Sequence, residues 1–88
     1  MPTWRVEISL DAEKDLKNLG DFDRARIIEK LEWLERNFES VTPIALGADL
    51  KGFYKFRIGD YRVIYKIDWD KKIVLAVIIG HRSKIYKN

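Results

Sequence analysis

Eighty-eight residues can close one hydrophobic core, so a single domain over residues 1–88 is expected; 47% apolar and 35% charged residues suit a globular chain, and no apolar run approaches the roughly 20 residues that span a bilayer. There is no cysteine for disulfide or thiolate chemistry, and the opening Met-Pro-Thr-Trp-Arg-Val-Glu lacks a basic segment followed by a long apolar stretch, so a cytoplasmic location is expected. The net charge of +3 conceals an asymmetry: residues 1–49 hold seven basic and eleven acidic side chains, residues 50–88 ten basic and three acidic, which marks the second part as attractive to polyanions, chiefly nucleic acid, unless it is only a solvated lysine-rich surface.

Trp4, Val6, Ile8 and Leu10 alternate with Arg5, Glu7 and Ser9, the period of two of a half-buried strand. Ala12, Leu16 and Leu19 then fall at helical spacing. Asp11, Glu13 and Asp15 lie near the start, where the helix dipole favours acids, and Gly20 is placed to end the helix. Asp21 or Asp23 is expected to cap a second helix, in which Ala25, Ile28, Leu31, Leu34 or Glu35, and Phe38 recur every three or four residues while Ile27 and Trp33 widen the stripe. The two helices should form an antiparallel hairpin that needs a sheet beneath it. Residues 39–49, with Pro43 and Gly47, lack a period and predict a connecting loop. Residues 53–58 and 61–68 are rich in aromatic and β-branched side chains, and Gly59-Asp60 between them fits a two-residue hairpin turn with glycine first. Residues 73–79 are continuously apolar, as in a strand covered on both faces, after a polar turn at 68–72. The expected fold is α+β, in the order β-α-α-β-β-β, an antiparallel sheet with an α-helical hairpin packed on one face.

A turn at Gly59-Asp60 sets the register, with Ile58 opposite Tyr61, Arg57 opposite Arg62, Phe56 opposite Val63 and Lys55 opposite Ile64. Tyr54, Phe56, Ile58, Tyr61, Val63, Tyr65 and Ile67 then share a core face, while Phe53, Lys55, Arg57, Arg62, Ile64 and Lys66 share the other. Two arginines directly across a strand pair stand about 5 Å apart, which weakens a sheet. A phosphate between them supplies a reason, because guanidinium forks bind phosphate oxygens and desolvated cations stabilise a phosphoryl transition state. The structural alternative is that the arginines splay into water or pair with acids from the first half. If function alone retains them, Arg62→Ala should leave stability unchanged or slightly raised.

The segment Gly80-His81-Arg82-Ser83-Lys84-Ile85-Tyr86 adds an imidazole, a guanidinium, an ammonium and a phenol after the last strand. RNA cleavage by its own 2′-hydroxyl needs a base at that oxygen, cations at the phosphorane-like state and an acid at the departing 5′-oxygen, and these groups can supply all three. A lone histidine at a strand end is more often structural, and Tyr86 is either a packing or a base-stacking residue. There is no Gly-rich phosphate loop and no His or Cys set at metal-ligand spacing, the helical acids fit ordinary polar faces, and neither metal nor other cofactor is expected.

Leu50-Lys51-Gly52, the run YKFRIGDYRVIY over residues 54–65, Gly80-His81-Arg82 and Ile85-Tyr86 together resemble the RelE/ParE superfamily of toxins of type II toxin-antitoxin systems, and within it the RelE-like branch. The resemblance implies the RelE-like microbial RNase fold and a metal-independent endoribonuclease, an mRNA interferase that inhibits translation by 2′-hydroxyl attack on ribosome-bound mRNA. By position it implies that Lys55 and Arg57 form a pair for proton abstraction and phosphate contact, that Arg62 stabilises the transition state, that Arg82 assists the leaving group and that Tyr86 stacks on the substrate. Arg57 stands where relatives carry lysine, and an arginine is a poor base, which moves that role to Lys55. His81 offers a second acid beside Arg82, and Lys51, Lys66 and Lys84 are expected to bind RNA. The resemblance further implies a cognate antitoxin that wraps the toxin, an oligomer with it, and no membrane. The alternative on the same scaffold is a ParE-like, non-catalytic DNA gyrase inhibitor, against which the basic face argues.

Overall fold

The computed structural model describes residues 3–85. In chain order its elements are β1 (Arg5–Ile8), α1 (Leu10–Lys17), α2 (Asp21–Asn37), β2 (Ile44–Ala45), β3 (Tyr54–Ile58), β4 (Tyr61–Asp68), β5 (Ile73–His81) and α3 (Arg82–Ile85), with 3-10 turns at Phe38–Ser40 and Ala48–Leu50. The strands form one sheet in the order β1-β5-β4-β3-β2, and α1 and α2 pack on one of its faces, as an α+β fold of this order requires.

The sheet is mixed rather than wholly antiparallel. β3, β4 and β5 form the antiparallel meander, but β1 runs parallel to β5, because the helical pair carries the chain across the face and the last strand returns beside the first in the same direction. Within the predicted loop, β2 pairs Ile44 with Lys55 and Ala45 with Tyr54, a strand too short to show a period. β5 also differs from expectation. Ile64 pairs with Ile78 but Tyr65 pairs with Ala76, so Val77 is a bulge. Val74, Ala76 and Ile79 therefore share the buried helix-side face, while Ile78 on the opposite face is 44% exposed. The unbroken apolar run records a change of parity, not cover on both sides.

Several local details shift for physical reasons. Ser9 caps α1: its Oγ accepts the Ala12 amide at 3.1 Å and donates to the Val77 carbonyl at 3.1 Å, fastening the helix start to β5. α1 ends at Asn18, and Gly20 opens α2 instead of closing α1; Asp21 and Asp23 occupy the first turn rather than the cap and still face the positive end of the helix dipole. β1 stops at Ile8, which leaves Leu10 as the first, exposed residue of α1. The buried stripe of α2 is Ile27, Leu31 and Leu34, continued by Phe38. At 3.6 residues per turn these four fall within about 60° of arc, whereas Ile28, Trp33 and Ala25 lie roughly 90° or more from its centre and are exposed.

Two polar contacts close the sheet where strands run out. Past Ile8, β5 has no paired strand on that side among the described residues, and the Asp15 carboxylate of α1 accepts the Ile79 amide at 2.9 Å. Arg5 donates its amide to the Lys72 carbonyl just before β5 and Ser9 donates to Ala76 within it, so the alternate amide of Val6 points to the open edge; Glu35 Oε2 of α2 accepts it at 2.8 Å.

Tyr65 lies in the core on the helix side of β4, stacked on Tyr54 with ring centroids 5.7 Å apart and edge-on to Phe38 at 6.2 Å, and its hydroxyl has no hydrogen-bond partner among the described residues. Burial, assisted by the neighbouring Tyr54, pushes its phenol up to about 12. A folded pKa above the unfolded value near 10 gives stability that is intact below about pH 10 and lost as pH rises through about 12. Tyr65→Phe deletes an unsatisfied hydroxyl, so it is expected to raise stability at neutral pH by about 1 kcal/mol and to reduce the alkaline loss. Denaturant titrations of both proteins from neutral to alkaline pH check this, and a variant weaker at every pH would overturn it.

Candidate active site on the open face of the sheet

The observed β3–β4 pairing is the predicted register: Ile58 with Tyr61, Arg57 with Arg62, Phe56 with Val63 and Lys55 with Ile64. Gly59 has φ +59°, the left-handed value that the first position of this turn demands and that a glycine adopts without strain. The core side chains are directed towards α1 and α2, leaving Lys55, Arg57, Arg62 and Lys66 on the face opposite those two helices.

Across the meander the open face is built in rows. Arg57, Arg62 and Gly80 form the row next to the hairpin turn, and Lys55, Ile64 and Ile78 form the next. The two arginines resolve their apposition by taking different directions. Arg62 folds back over the turn, where Nη1 donates to the carbonyls of Gly59 and Tyr61 at 2.9 Å each, while Arg57 stays exposed. Neither is paired with an acid among the described residues, so the first half of the chain does not neutralise them. What remains is a half-buried guanidinium fixed by backbone carbonyls beside an exposed one, an arrangement suited to gripping a dianionic or phosphorane-like group.

Gly80 beside Arg62 leaves room that Ile85 fills: a methyl group on Gly80 would sit 3.3 Å from Ile85 Cγ1. This contact seats α3 on the sheet. Arg82, its first residue, donates its amide to the Asp60 carbonyl at 2.8 Å, extending the ladder past the strand end, and holds Nε 3.9 Å from Asp60 Oδ1. The Arg82 guanidinium is thus brought to the hairpin turn. Lys84 and Ile85 border an apolar groove of about 340 Å³ whose other walls include Leu50, Ile64 and Ile78. Lys66 stands at the far end of the face with Nζ 4.9 Å above the Phe53 ring, and Lys51 is exposed in the turn before β3. Tyr86 lies outside the described residues.

His81 is not gathered with the others. It pairs directly with Tyr61, so its side chain shares the helix-side face, with the two rings edge-on at 5.6 Å. Its Nδ1 accepts the Ser83 amide at 3.1 Å and lies 2.8 Å from the Ser83 hydroxyl, which places the proton of the neutral ring on Nε2. Tyr61 donates its hydroxyl to Asp23 of α2 at 2.9 Å, and that bond to a carboxylate, with partial burial and the charges of Asp23 and Asp60, holds the phenol above its ordinary value. Sequence reasoning assigned the helical acids to ordinary polar faces and gave Arg26 no role. The structure brings Asp23 to Tyr61 and Arg26 to Gly59, contacts for which no local pattern gives a signal.

A family model described as "ParE toxin of type II toxin-antitoxin system, parDE" matches residues 6–86. The chain belongs to this family of type II toxin-antitoxin toxins, within the RelE/ParE superfamily. It is 34% identical over 88 residues to a Methanocaldococcus jannaschii protein that carries the name RelE1, with 97% of each chain covered. The toxin-antitoxin complex RelBE2 of Mycobacterium tuberculosis contains a chain that superposes with a TM-score of 0.81 at 28% identity, covering 91% of this chain and 99% of that one. A second solved neighbour is the archaeal RelE-RelB complex of Pyrococcus horikoshii, at a TM-score of 0.69 and 30% identity, covering 93% and 98%.

Proposed function

We propose that this toxin is an endoribonuclease that cuts mRNA on the ribosome without a metal, and that Lys55, Arg57, Arg62 and Arg82 carry the reaction. The observation that carries the reading is the Arg57–Arg62 pair, held across one strand pair on the open face with no acid among the described residues to neutralise either. In the proposed sequence Lys55 takes the proton from the 2′-hydroxyl and the oxygen attacks the adjacent phosphorus. Arg62 and Arg57 stabilise the charge that develops on the non-bridging oxygens. The bond to the 5′-oxygen breaks with the Arg82 guanidinium stabilising the departing alkoxide, which takes a proton from water, leaving a 2′,3′-cyclic phosphate and a 5′-hydroxyl. Lys51, Lys66 and Lys84 contact flanking phosphates, and Tyr86 stacks on a base. His81, directed to the other face, orders the strand end and is not the acid. The solved neighbours from M. tuberculosis and P. horikoshii are complexes with an antitoxin, which supports a cognate antitoxin as the partner in an oligomeric complex.

The test is purified toxin added to translating ribosomes with end-labelled mRNA. Cleavage positioned by codon that disappears in Arg62→Ala supports the reading. Intact mRNA together with arrested DNA gyrase overturns it in favour of the alternative on the same scaffold, a ParE-like, non-catalytic gyrase inhibitor.

A further inference from the structure

We infer that Arg26, on α2, binds a second phosphate of the RNA strand, flanking the one held by Arg57 and Arg62, so that the strand bends around the tip of the β3–β4 hairpin towards the helix side; this rests on the ribonuclease reading above. Three arginines from three separate elements converge on the two-residue turn. Arg62 donates to the Gly59 carbonyl, and Arg82 donates its amide to the Asp60 carbonyl. Arg26 turns its guanidinium onto Gly59 itself: a methyl group there would meet Nη2 at 2.6 Å, Nη1 at 2.8 Å and Cζ at 2.9 Å. The two terminal nitrogens approach most closely, so the guanidinium occupies the space that a side chain at this position would need. Arg26 and Arg62 thus bracket one residue, the first at its Cα and the second at its carbonyl.

Three acids near the turn are otherwise engaged, and Glu29, three residues along α2, makes no ion pair with Arg26 among the described residues. Asp23 accepts the Tyr61 hydroxyl, Asp21 pairs with Arg24, and Asp60 lies at the long end of ion-pair range from Arg82. Arg26 has no acidic partner among the described residues and is exposed. With Arg82 near Asp60, the charges of Arg26 and Arg62 are left without an acid against them at one turn, and they repel one another unless an anion joins them. The planar guanidinium, already ordered against the backbone, loses little freedom in gripping phosphate oxygens. A single strand crossing the open face and leaving over the tip would present successive phosphates first to Arg57 and Arg62 and then to Arg26.

The experiment uses the full chain and a fluorescein-labelled, 2′-O-methylated oligoribonucleotide that cannot be cut, with binding followed by anisotropy over a range of salt. Loss of one phosphate contact to a single strand should flatten the slope of log K against log salt by about 0.7 and weaken binding at low salt about three- to tenfold in Arg26→Ala. Arg26→Lys should restore most of the slope. Arg24→Ala, which removes a neighbouring arginine already paired with Asp21, should leave it unchanged. On ribosome-bound mRNA, Arg26→Ala should raise KM several-fold with kcat retained, and a merely structural clamp would move the melting temperature without moving the salt slope. Wild-type protein that neither binds the oligonucleotide nor cuts ribosome-bound mRNA overturns the ribonuclease reading and this inference with it. Active wild type with Arg26→Ala matching it in both slope and KM overturns this inference alone, and inhibition of RNA binding by inorganic phosphate equal in wild type and variant counts against it in the same way.

Discussion

Arg62→Ala is expected to reduce mRNA cleavage about 100- to 1,000-fold, the scale on which a preorganised group aimed at a developing negative charge acts. Its guanidinium is held by the Gly59 and Tyr61 carbonyls before any substrate arrives, so little reorganisation is needed in the transition state. The same two bonds reverse the stability expectation drawn from the register. Like charges directly opposite suggest that removing one should relieve the sheet, but Arg62 has turned away from Arg57 and serves the hairpin instead. The variant should lose about 1 kcal/mol, the net contribution of one or two such bonds at a half-buried site, and thermal melting beside the cleavage assay reads both quantities. Cleavage retained within about threefold would remove Arg62 from the chemistry, and a melting temperature above that of the wild type would show that repulsion dominates after all.

Lys55→Ala is expected to lower the single-turnover rate about 100-fold or more, the contribution of a positioned general base, and Arg57→Ala only about tenfold, as a phosphate contact whose loss is partly covered by Arg62. Lys55 and Arg57 lie two residues apart on β3 and so share a face, which makes the comparison one of chemistry and not of access. Single-turnover cleavage at saturating ribosomal complex separates the chemical step from binding. The reverse order of effects would assign proton abstraction elsewhere. Lys55→Arg sharpens the contrast: it keeps charge and reach but substitutes a group that holds its proton at any accessible pH, and should be nearly as slow as Lys55→Ala.

What was legible in the sequence follows from how local each determinant is. The β3–β4 register was legible because a two-residue turn with glycine first leaves one pairing, and parity then sorts every side chain to a face. β5 was not. Its apolar run carries no alternation, and the bulge at Val77 moves everything after it by one position. Without the bulge Gly80 would have met Tyr61, and His81 would have faced the same way as Arg62; with it, Gly80 sits beside Arg62 and His81 joins Tyr61 on the helix side. The histidine expected beside the cations therefore lies behind the sheet that carries them. The parallel placement of β1 and the arrival of Arg26 at Gly59 depend on how the helical pair crosses the sheet, a long-range outcome that no window of neighbouring residues encodes. In α2 the period was legible and its phase was not, because Ile27, Ile28 and Trp33 are all apolar and only packing against the sheet selects among them.

The carboxylate of Glu35 on the Val6 amide has a consequence for how this chain lives among other chains. A sheet with an open side is a template, and a second strand laid against β1 would need that outward amide. Glu35 occupies the donor with an acceptor that no incoming backbone carbonyl can share without displacing a charge, while at the opposite margin β2 offers only two residues of ladder. Growth of the sheet by addition of further strands is thereby discouraged at both margins, so the face that carries the cations belongs to a sheet poorly suited to seed a fibre.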